Sequence, residues 1–339
     1  MRIATIGDIH GREILPYANS FSDGRKKEWA DMIDKIVSVS DSCDIVVLLG
    51  DVLNSKHNKS GVIRELVEFL KRLGNKPVYI ISGNHCRINA SETALDFLKK
   101  VDYPNWHVFT EITQGLDIGG VRATFLPYTT PAMLGVTTKQ EGEKVIADLL
   151  KPADIAFGHH AIMGAKATEF FDTEIVLDKK KMSETFGMSF MGHLHQAEKL
   201  GDNIQMTGSV FPQEIGEICK SIFVWDTVTK TTEEIALPVR QIHKVDWNED
   251  SEKIFGGIQT NAIVKCVVTT RGTDIDLVHK TLERFDAHLV VEQYPSERVK
   301  THFDEGALDL GIDNLLKLYS EAKGVSYADL NEGFNLIKQ

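Results

Sequence analysis

Seven side chains with metal-ligand chemistry sit in one recurring pattern: an apolar run, then glycine, then a residue with a lone pair to offer. The pattern reads Gly7-Asp8, Gly50-Asp51, Gly83-Asn84, Gly158-His159 and Gly192-His193. Two of these extend by a histidine two residues on, as Asp8-Ile9-His10 and His193-Leu194-His195. The period of two in extended backbone aims both side chains of each pair the same way. Any one piece alone is an ordinary turn. Five in this order, each closing an apolar run, are not explained by turns, which have no need of this ligand chemistry. Carboxylate, imidazole and amide oxygen without thiolate suit Mn2+, Fe2+ or Zn2+ better than a Cys-type structural zinc. Seven donors oversupply one ion. Two ions about 4 Å apart, sharing a carboxylate, would use them all and would suit in-line displacement at phosphorus.

The elements that must position these ligands follow from hydrophobic periodicity. Ile3–Ile6, Ile45–Leu49 and Val78–Ile81 read as strands. Between them, Trp29, Met32, Ile33, Ile36 and Val37, then Ile63, Leu66, Val67 and Leu70, step by three and four, as on one helix face. Strand, helix, strand, helix, strand predicts a parallel sheet, because parallel neighbours need crossover connections. The carboxyl ends of such strands open on a common crevice. Further strands are expected at 107–109, 121–126, 155–157, 189–191 and 222–225, giving a mixed sheet or two stacked sheets.

The chain has 339 residues, 42% hydrophobic and 26% charged, which excludes a disordered or rod-like protein. Its 38 basic against 49 acidic side chains, a net charge of -11, argue against clamping nucleic acid on a broad basic surface. Cys43, Cys86, Cys219 and Cys266 are widely spaced and form no CxxC pair, so a reducing cytoplasm is expected. No apolar run reaches a membrane span, and the first residues run into Gly7-Asp8 without a signal-peptide layout.

Taken together, Gly7-Asp8-Ile9-His10, Gly50-Asp51, Gly83-Asn84-His85, Gly158-His159 and Gly192-His193-Leu194-His195 resemble the calcineurin-like metallophosphoesterase signature. Within that superfamily the chain is most similar to the SbcD-type nucleases of DNA break repair and recombination, phage members included. Leu126-Pro127-Tyr128, Thr207-Gly208-Ser209-Val210 and Val239-Arg240 add to this likeness. The resemblance implies an α/β, four-layer sandwich with a small α/β capping domain and a helical C-terminal tail. It implies two divalent ions, Mn2+ with Mg2+ as the alternative. Asp8, His10, Asp51 and His195 would hold one ion, and Asp51, Asn84, His159 and His193 the other. His85 would be the catalytic non-ligand, assisting departure of the sugar oxygen. Exonuclease action on duplex DNA, endonuclease action on single strands, and a homodimer joined to an SbcC-type coiled-coil ATPase are implied as well. A phosphatase or small-molecule phosphodiesterase of the same superfamily and a non-catalytic scaffold are the alternatives.

Two departures stand out. Cys86 replaces the acidic residue that usually follows Asn-His, so any partner orienting His85 must come from elsewhere; Cys86 itself reads as a small packed residue. Asp8-Ile9-His10-Gly11 leans towards protein phosphatases, whereas Gly50-Asp51-Val52-Leu53-Asn54 lacks their Asp-Arg-Gly continuation and leans back towards nucleases. His160 competes with His159 as ligand, and the Gly-His step favours His159. His57 reads as an exposed loop residue. Arg12, Lys56 and Arg87 follow three ligand motifs and are candidates for DNA phosphate contacts.

The domains are expected at 1–240 (nuclease), 241–300 (capping, DNA-binding) and 301–339 (tail). In the tail, Leu308, Ile312, Leu315, Leu316 and Tyr319 fall at helical spacing and would dock on the ATPase. Residues 241–339 carry 11 Lys and Arg against 17 Asp and Glu, a net of -6. A surface of that sign repels phosphate, so the partner is expected to supply most of the DNA affinity.

Overall fold

A computed structural model describes residues 1–18, 23–101, 103–166, 174–217, 219–248, 250–285 and 287–293, with 316–317, 320, 326–328 and 330 beyond. The apolar runs that end in ligand motifs form the middle of two six-stranded sheets. The first has the order β14 (Thr231–Ala236), β13 (Ser221–Asp226), β1 (Arg2–Ile6), β2 (Ile45–Leu48), β3 (Val78–Ile81) and β4 (Trp106–Phe109). The second runs β11 (Glu198–Lys199), β12 (Ile204–Met206), β10 (Phe186–Gly192), β7 (Ala153–His159), β6 (Arg122–Leu126) and β5 (Thr113–Asp117). β1, β2, β3 and β4 are parallel, as are β6, β7, β10 and β12. A short parallel pair, β8 (Ala161–Ile162) and β9 (Val176–Leu177), follows β7.

Alternation along the strands sorts their side chains into layers. Ile3, Val47, Tyr79 and Ile81 pack with Phe125, Phe157 and Phe190 into an apolar layer between the sheets. On the other face, Ala4, Ile6, Val46, Leu48 and Ile80 pack on α1 (Lys26–Asp41) and α2 (Ser60–Arg72) through Met32, Ile36, Leu66 and Leu70. The helix stripes expected from the sequence are the faces that turn inward. The short α3 (Asp96–Lys100) adds Leu98 to this cluster. On the far side, α4 (Lys139–Leu149) and α5 (Lys179–Thr185) bury Ile146 and Met182 against Ala156 and Met191 of the second sheet. Helix, sheet, sheet, helix is the four-layer α/β sandwich.

Three strands carry no apolar signal: β5, β11 and β14. All three lie at sheet edges, and in β14 only Ile235 is even half-buried. An edge strand with a solvated face has no need of alternating apolar residues and gains from charge. Beyond the sandwich, β15 (Ile242–Asp246), β16 (Ile263–Val268) and β17 (Ala287–Glu292) form a three-stranded sheet. With α6 (Ser251–Gly256) and α7 (Ile275–Leu282) they surround a separate cluster that includes Phe255, Val264, Cys266, Val278 and Phe285. By its contacts the chain divides into one unit of Met1–Val268 with Thr273–Val291 and a second of Thr269–Gly272 with Glu292–Gln339. The expected tail, including Leu308, Ile312, Leu315 and Tyr319, lies almost wholly outside the described residues. Among those described, no helix is long and apolar enough to cross a membrane.

One polar junction ties the start of α1 to the end of the sandwich. The Glu28 carboxylate accepts from Arg25 Nε at 2.9 Å and Nη2 at 2.7 Å, and from Arg240 N at 2.6 Å, Nε at 3.0 Å and Nη2 at 2.8 Å. Arg25 is fully buried, its guanidinium 4.3 Å from the centre of the Phe211 ring. Burial works against the Glu28 charge, but the two arginines outweigh it and hold the carboxyl below its ordinary value. Glu28→Gln, which removes the carboxylate charge that Arg25 and Arg240 share, is expected to cost about 3–5 kcal/mol at pH 7. Because the folded carboxyl titrates lower than the unfolded one, this stabilisation is complete above the unfolded value of about 4.3 and is lost as pH falls through the folded value. The gap in melting temperature between wild type and variant should therefore close on acidification, which calorimetry at pH 7 and at pH 3–4 will measure.

Candidate metal centre

Each ligand motif caps a strand, and β1, β2 and β3 of one sheet face β7 and β10 of the other. β1 and β2 go on pairing beyond their ends: His10 N donates to Asp51 O at 2.8 Å, Gly11 N to Val52 O at 3.0 Å, and Asn54 N to Gly11 O at 3.1 Å. This registers Asp8 and His10 against Asp51. The glycines allow the motifs to close on one another. A Cβ on Gly50, whose φ is +101°, would fall 2.1 Å from His159 Nδ1, and one on Gly83 would fall 2.1 Å from Asp51 Oδ1.

The seven expected ligands are brought to one point, with Asp8, His10, Asp51 and His159 buried and Asn84, His193 and His195 half-buried. His159 Nε2 lies 3.2 Å from Asp51 Oδ2 and 3.0 Å from Asn84 Oδ1, while its Nδ1 is 3.3 Å from Asp8 Oδ1. His193 Nδ1 is 3.1 Å from the same Asn84 oxygen. His10 Nε2 faces His195 Nε2 at 3.1 Å. Ligand atoms fall within 4.8 Å of one another in Asp8/His10/His195, in Asp8/Asp51/His159 and in His10/Asp51/His85. Asp8 therefore reaches both halves of the site, as Asp51 does.

Hydrogen bonds at the rear of three of the imidazoles determine which nitrogen is turned towards the centre. A carbonyl only accepts, so His159 Nδ1 donates to Leu49 O, at 2.7 Å, which turns Nε2 towards Asp51 and Asn84. His193 Nε2 lies 2.8 Å from Glu174 Oε2, leaving Nδ1 towards Asn84. His195 Nδ1 lies 3.3 Å from Glu217 Oε1, leaving Nε2 towards His10. Carboxylates and carbonyls behind metal-binding imidazoles do this in general. His160 points elsewhere: its Nε2 donates to Pro127 O at 2.9 Å.

Charge is poorly balanced by protein alone. Burial raises the Asp8 carboxyl, and neighbouring Asp51 adds to the rise against the pull of His159. Burial opposes the Asp51 charge too, but there His159 prevails and holds the carboxyl low. His159 in turn resists its own burial through Asp51 and Asp8 and is raised to about 9. Burial keeps His10 neutral, lowering it to about 3, and its Nδ1 has no partner among the described residues. Two buried carboxylates and facing imidazole nitrogens are a donor set short of positive charge, which a divalent cation satisfies. The residues present fit a metal centre.

A model of the family described as calcineurin-like phosphoesterase matches residues 1–197. The chain belongs to that family. Phosphoesterases of this kind are metal-dependent hydrolases of phosphoesters that bind two divalent ions, and the donor cluster above accommodates them. Among solved structures, a single mutant of Vps29 from Entamoeba histolytica is 12% identical with a TM-score of 0.30, covering 70% of this chain and 99% of its own. A double mutant of the same protein is 13% identical with a TM-score of 0.31 and the same coverage. Likeness at that level bears on neither site nor substrate.

The remaining expected residues of this phosphoesterase divide three ways. His85 is exposed at the mouth, its ring 4.8 Å from that of His10; its backbone N donates to Asp51 Oδ1 at 2.9 Å, and its Nδ1 donates to Asn54 O at 3.0 Å. Cys86 is fully buried with Sγ 3.6 Å from Leu53 O, and burial raises the thiol far above its ordinary value, so it packs and does not react. Arg12 is half-buried, donating from Nε to His10 O at 3.2 Å and from Nη2 to Gln213 Oε1, while Lys56 and His57 are exposed on the loop after β2. Arg87 corrects an expectation. It is buried, with Nη2 donating to Thr110 O at 2.8 Å and to Tyr128 O at 3.4 Å, so it turns inward to backbone carbonyls and not outward to a DNA phosphate.

Glu174 and Glu217, which orient two ligand histidines, carry no sequence signal of their own. Both lie outside the five motifs. The Gly83 contact generates a prediction: Gly83→Ala should displace the Asp51 carboxylate and reduce bound Mn2+ nearly as far as Asp51→Ala does. Elemental analysis after dialysis will read this, and full occupancy in either variant would contradict the shared position of Asp51.

Proposed function

We propose that this phosphoesterase is the nuclease subunit of a DNA-processing complex, hydrolysing phosphodiesters in duplex ends and in single strands. The observation that carries the reading is the seat of His85. Its Nδ1 is engaged by the Asn54 carbonyl, which leaves Nε2 at the mouth of the centre as the nitrogen able to exchange a proton with a substrate oxygen. Asn54 closes the stretch Gly50-Asp51-Val52-Leu53-Asn54, the stretch in which the sequence departs from phosphatases. The backbone carbonyl supplies the orienting acceptor that Cys86 cannot.

When bound, two divalent cations supply Lewis acidity for a water nucleophile and offset charge developing at phosphorus. Asp8, His10, Asp51 and His195 would hold one, and Asp51, Asn84, His159 and His193 the other, with Mn2+ the metal we favour and Mg2+ the alternative. The chain's own residues do the rest. Asp51 fixes the His85 backbone against the centre. Asn54 fixes the ring, and His85 Nε2 hands a proton to the departing sugar oxygen.

The segments that carry the likeness to SbcD-type nucleases lie outside the five motifs. Tyr128, in Leu126-Pro127-Tyr128, donates to Glu174 Oε1 at 3.2 Å and so backs His193. Ser209, in Thr207-Gly208-Ser209-Val210, donates to Glu217 Oε2 at 3.2 Å and so backs His195. Arg240, after Val239, clasps Glu28. The features behind the likeness to SbcD-type nucleases are thus built into the site and its frame. We place the chain in a homodimer joined to an SbcC-type coiled-coil ATPase through residues 301–339, with the partner supplying most of the grip on DNA.

His85→Gln should keep its metal and its melting temperature yet lose about a hundredfold or more of cleavage, in the range of a lost general acid. End-labelled duplex DNA with Mn2+ is the assay. Loss of metal in this variant would make His85 a ligand, and turnover of phosphomonoesters without cleavage of DNA would favour a phosphatase. Deleting residues 306–339 should abolish co-purification with the ATPase while leaving metal binding and a low partner-independent activity. Undiminished association of the truncated chain would overturn the role given to the tail.

A further inference from the structure

Behind His195 lies a buried ionic network contributed by the segment after the last ligand motif. Glu217 Oε1 lies 3.3 Å from His195 Nδ1 and accepts from Glu214 N at 3.0 Å; Oε2 accepts from Gln213 N at 3.0 Å, from Ser209 Oγ at 3.2 Å and from Lys220 Nζ. Lys220 is itself almost fully buried and spends its other donors on His195 O at 2.8 Å and Ser209 Oγ at 2.7 Å. Ser209 N also donates to His195 O, at 3.0 Å. His195 is thus held at the ring by a carboxylate and at the backbone by an ammonium, and that carboxylate and ammonium neutralise each other.

Within the set of rear contacts, this one is singular. His159 is backed by a neutral carbonyl and His193 by the half-buried Glu174, whereas the Glu217 carboxylate is buried and takes two backbone N–H groups as well as the ring. Both of its oxygens are engaged inside the protein, Oε1 by His195 and Glu214 N and Oε2 by Gln213 N, Ser209 and Lys220. A carboxylate fixed in this way raises the basicity of the imidazole it backs and freezes its tautomer.

We infer that Glu217 is a positioning residue that sets the metal affinity of the Asp8/His10/His195 position selectively through its contact with His195 Nδ1, while Lys220 supports the segment that carries it. This rests on the metal-centre reading above. The two halves of the centre would then differ in affinity because of a residue that touches neither substrate nor metal.

The test is a Mn2+ titration of the full-length chain, reading free ion by electron paramagnetic resonance, with thermal unfolding alongside. Glu217→Gln keeps the shape and an acceptor oxygen but loses the charge. It should weaken one of the two binding steps 10- to 100-fold and leave the other unchanged. Asn84→Ala should weaken the complementary step, and the double variant should show both losses. Lys220→Met removes the buried partner but keeps the carboxylate; both Mn2+ steps should stay within threefold of wild type even if the melting temperature falls. The pair Glu217→Gln and Lys220→Met separates charge at the imidazole from mere support. Two unchanged steps in Glu217→Gln would overturn the inference. So would equal weakening of both steps, tracking the melting temperature, in both variants. A wild-type chain that takes up no Mn2+ would overturn the metal-centre reading itself, and this inference with it.

Discussion

His159 ends one sheet, Asp8 and Asp51 end two strands of the other, and the contact among them closes the site. An imidazole 3.3 Å from one buried carboxylate and 3.2 Å from another joins the two halves of the sandwich at the point where charge is densest. The contact tolerates no added bulk. Gly50 and Gly83 are where the chain gives way, since a methyl group on the first would collide with the His159 ring and on the second with the Asp51 carboxylate. The apolar layer between the sheets brings the strand ends near each other, and the glycines let them meet.

From that junction outward, the structure is a sequence of rear contacts. Leu49 O, Glu174, Glu217 and Asn54 O each engage the far nitrogen of an imidazole and so decide which nitrogen faces the centre. The two glutamates arrive from segments that hold no ligand of their own. Tyr128 and Ser209 stand one bond further out. In this way a cluster made by five short motifs draws on a chain stretch extending past residue 220, and Arg240 with Glu28 clamps the frame beyond it. Removal of one member leaves a buried charge uncompensated, so coupling among them will exceed pairwise expectation.

Acidity and phosphate chemistry coexist because the charges that matter are local. The net charge of -11 is spread over the whole chain, with the last third contributing -6 of it, whereas the donor cluster is short of positive charge at one point. A pair of divalent cations reverses the local sign without altering the surface, and the rest of the surface remains unsuited to holding a polyanion unaided.

The convergence of the donor motifs and the parallel core were legible in the sequence, because both follow local rules. A strand's apolar run, its terminal glycine and its period of two are written in consecutive residues, as are the stripes on α1 and α2. Edge strands β5, β11 and β14 were not legible, since solvation on one face removes the alternation by which strands are read. What only the tertiary structure decided was pairing at long range: that β7 and β10 face β1, β2 and β3 from a second sheet, that Arg87 turns inward to two carbonyls, and that Glu217 backs His195. A lone glutamate or arginine has no periodicity, and its role is determined by which buried group happens to need its charge once the chain has folded around it.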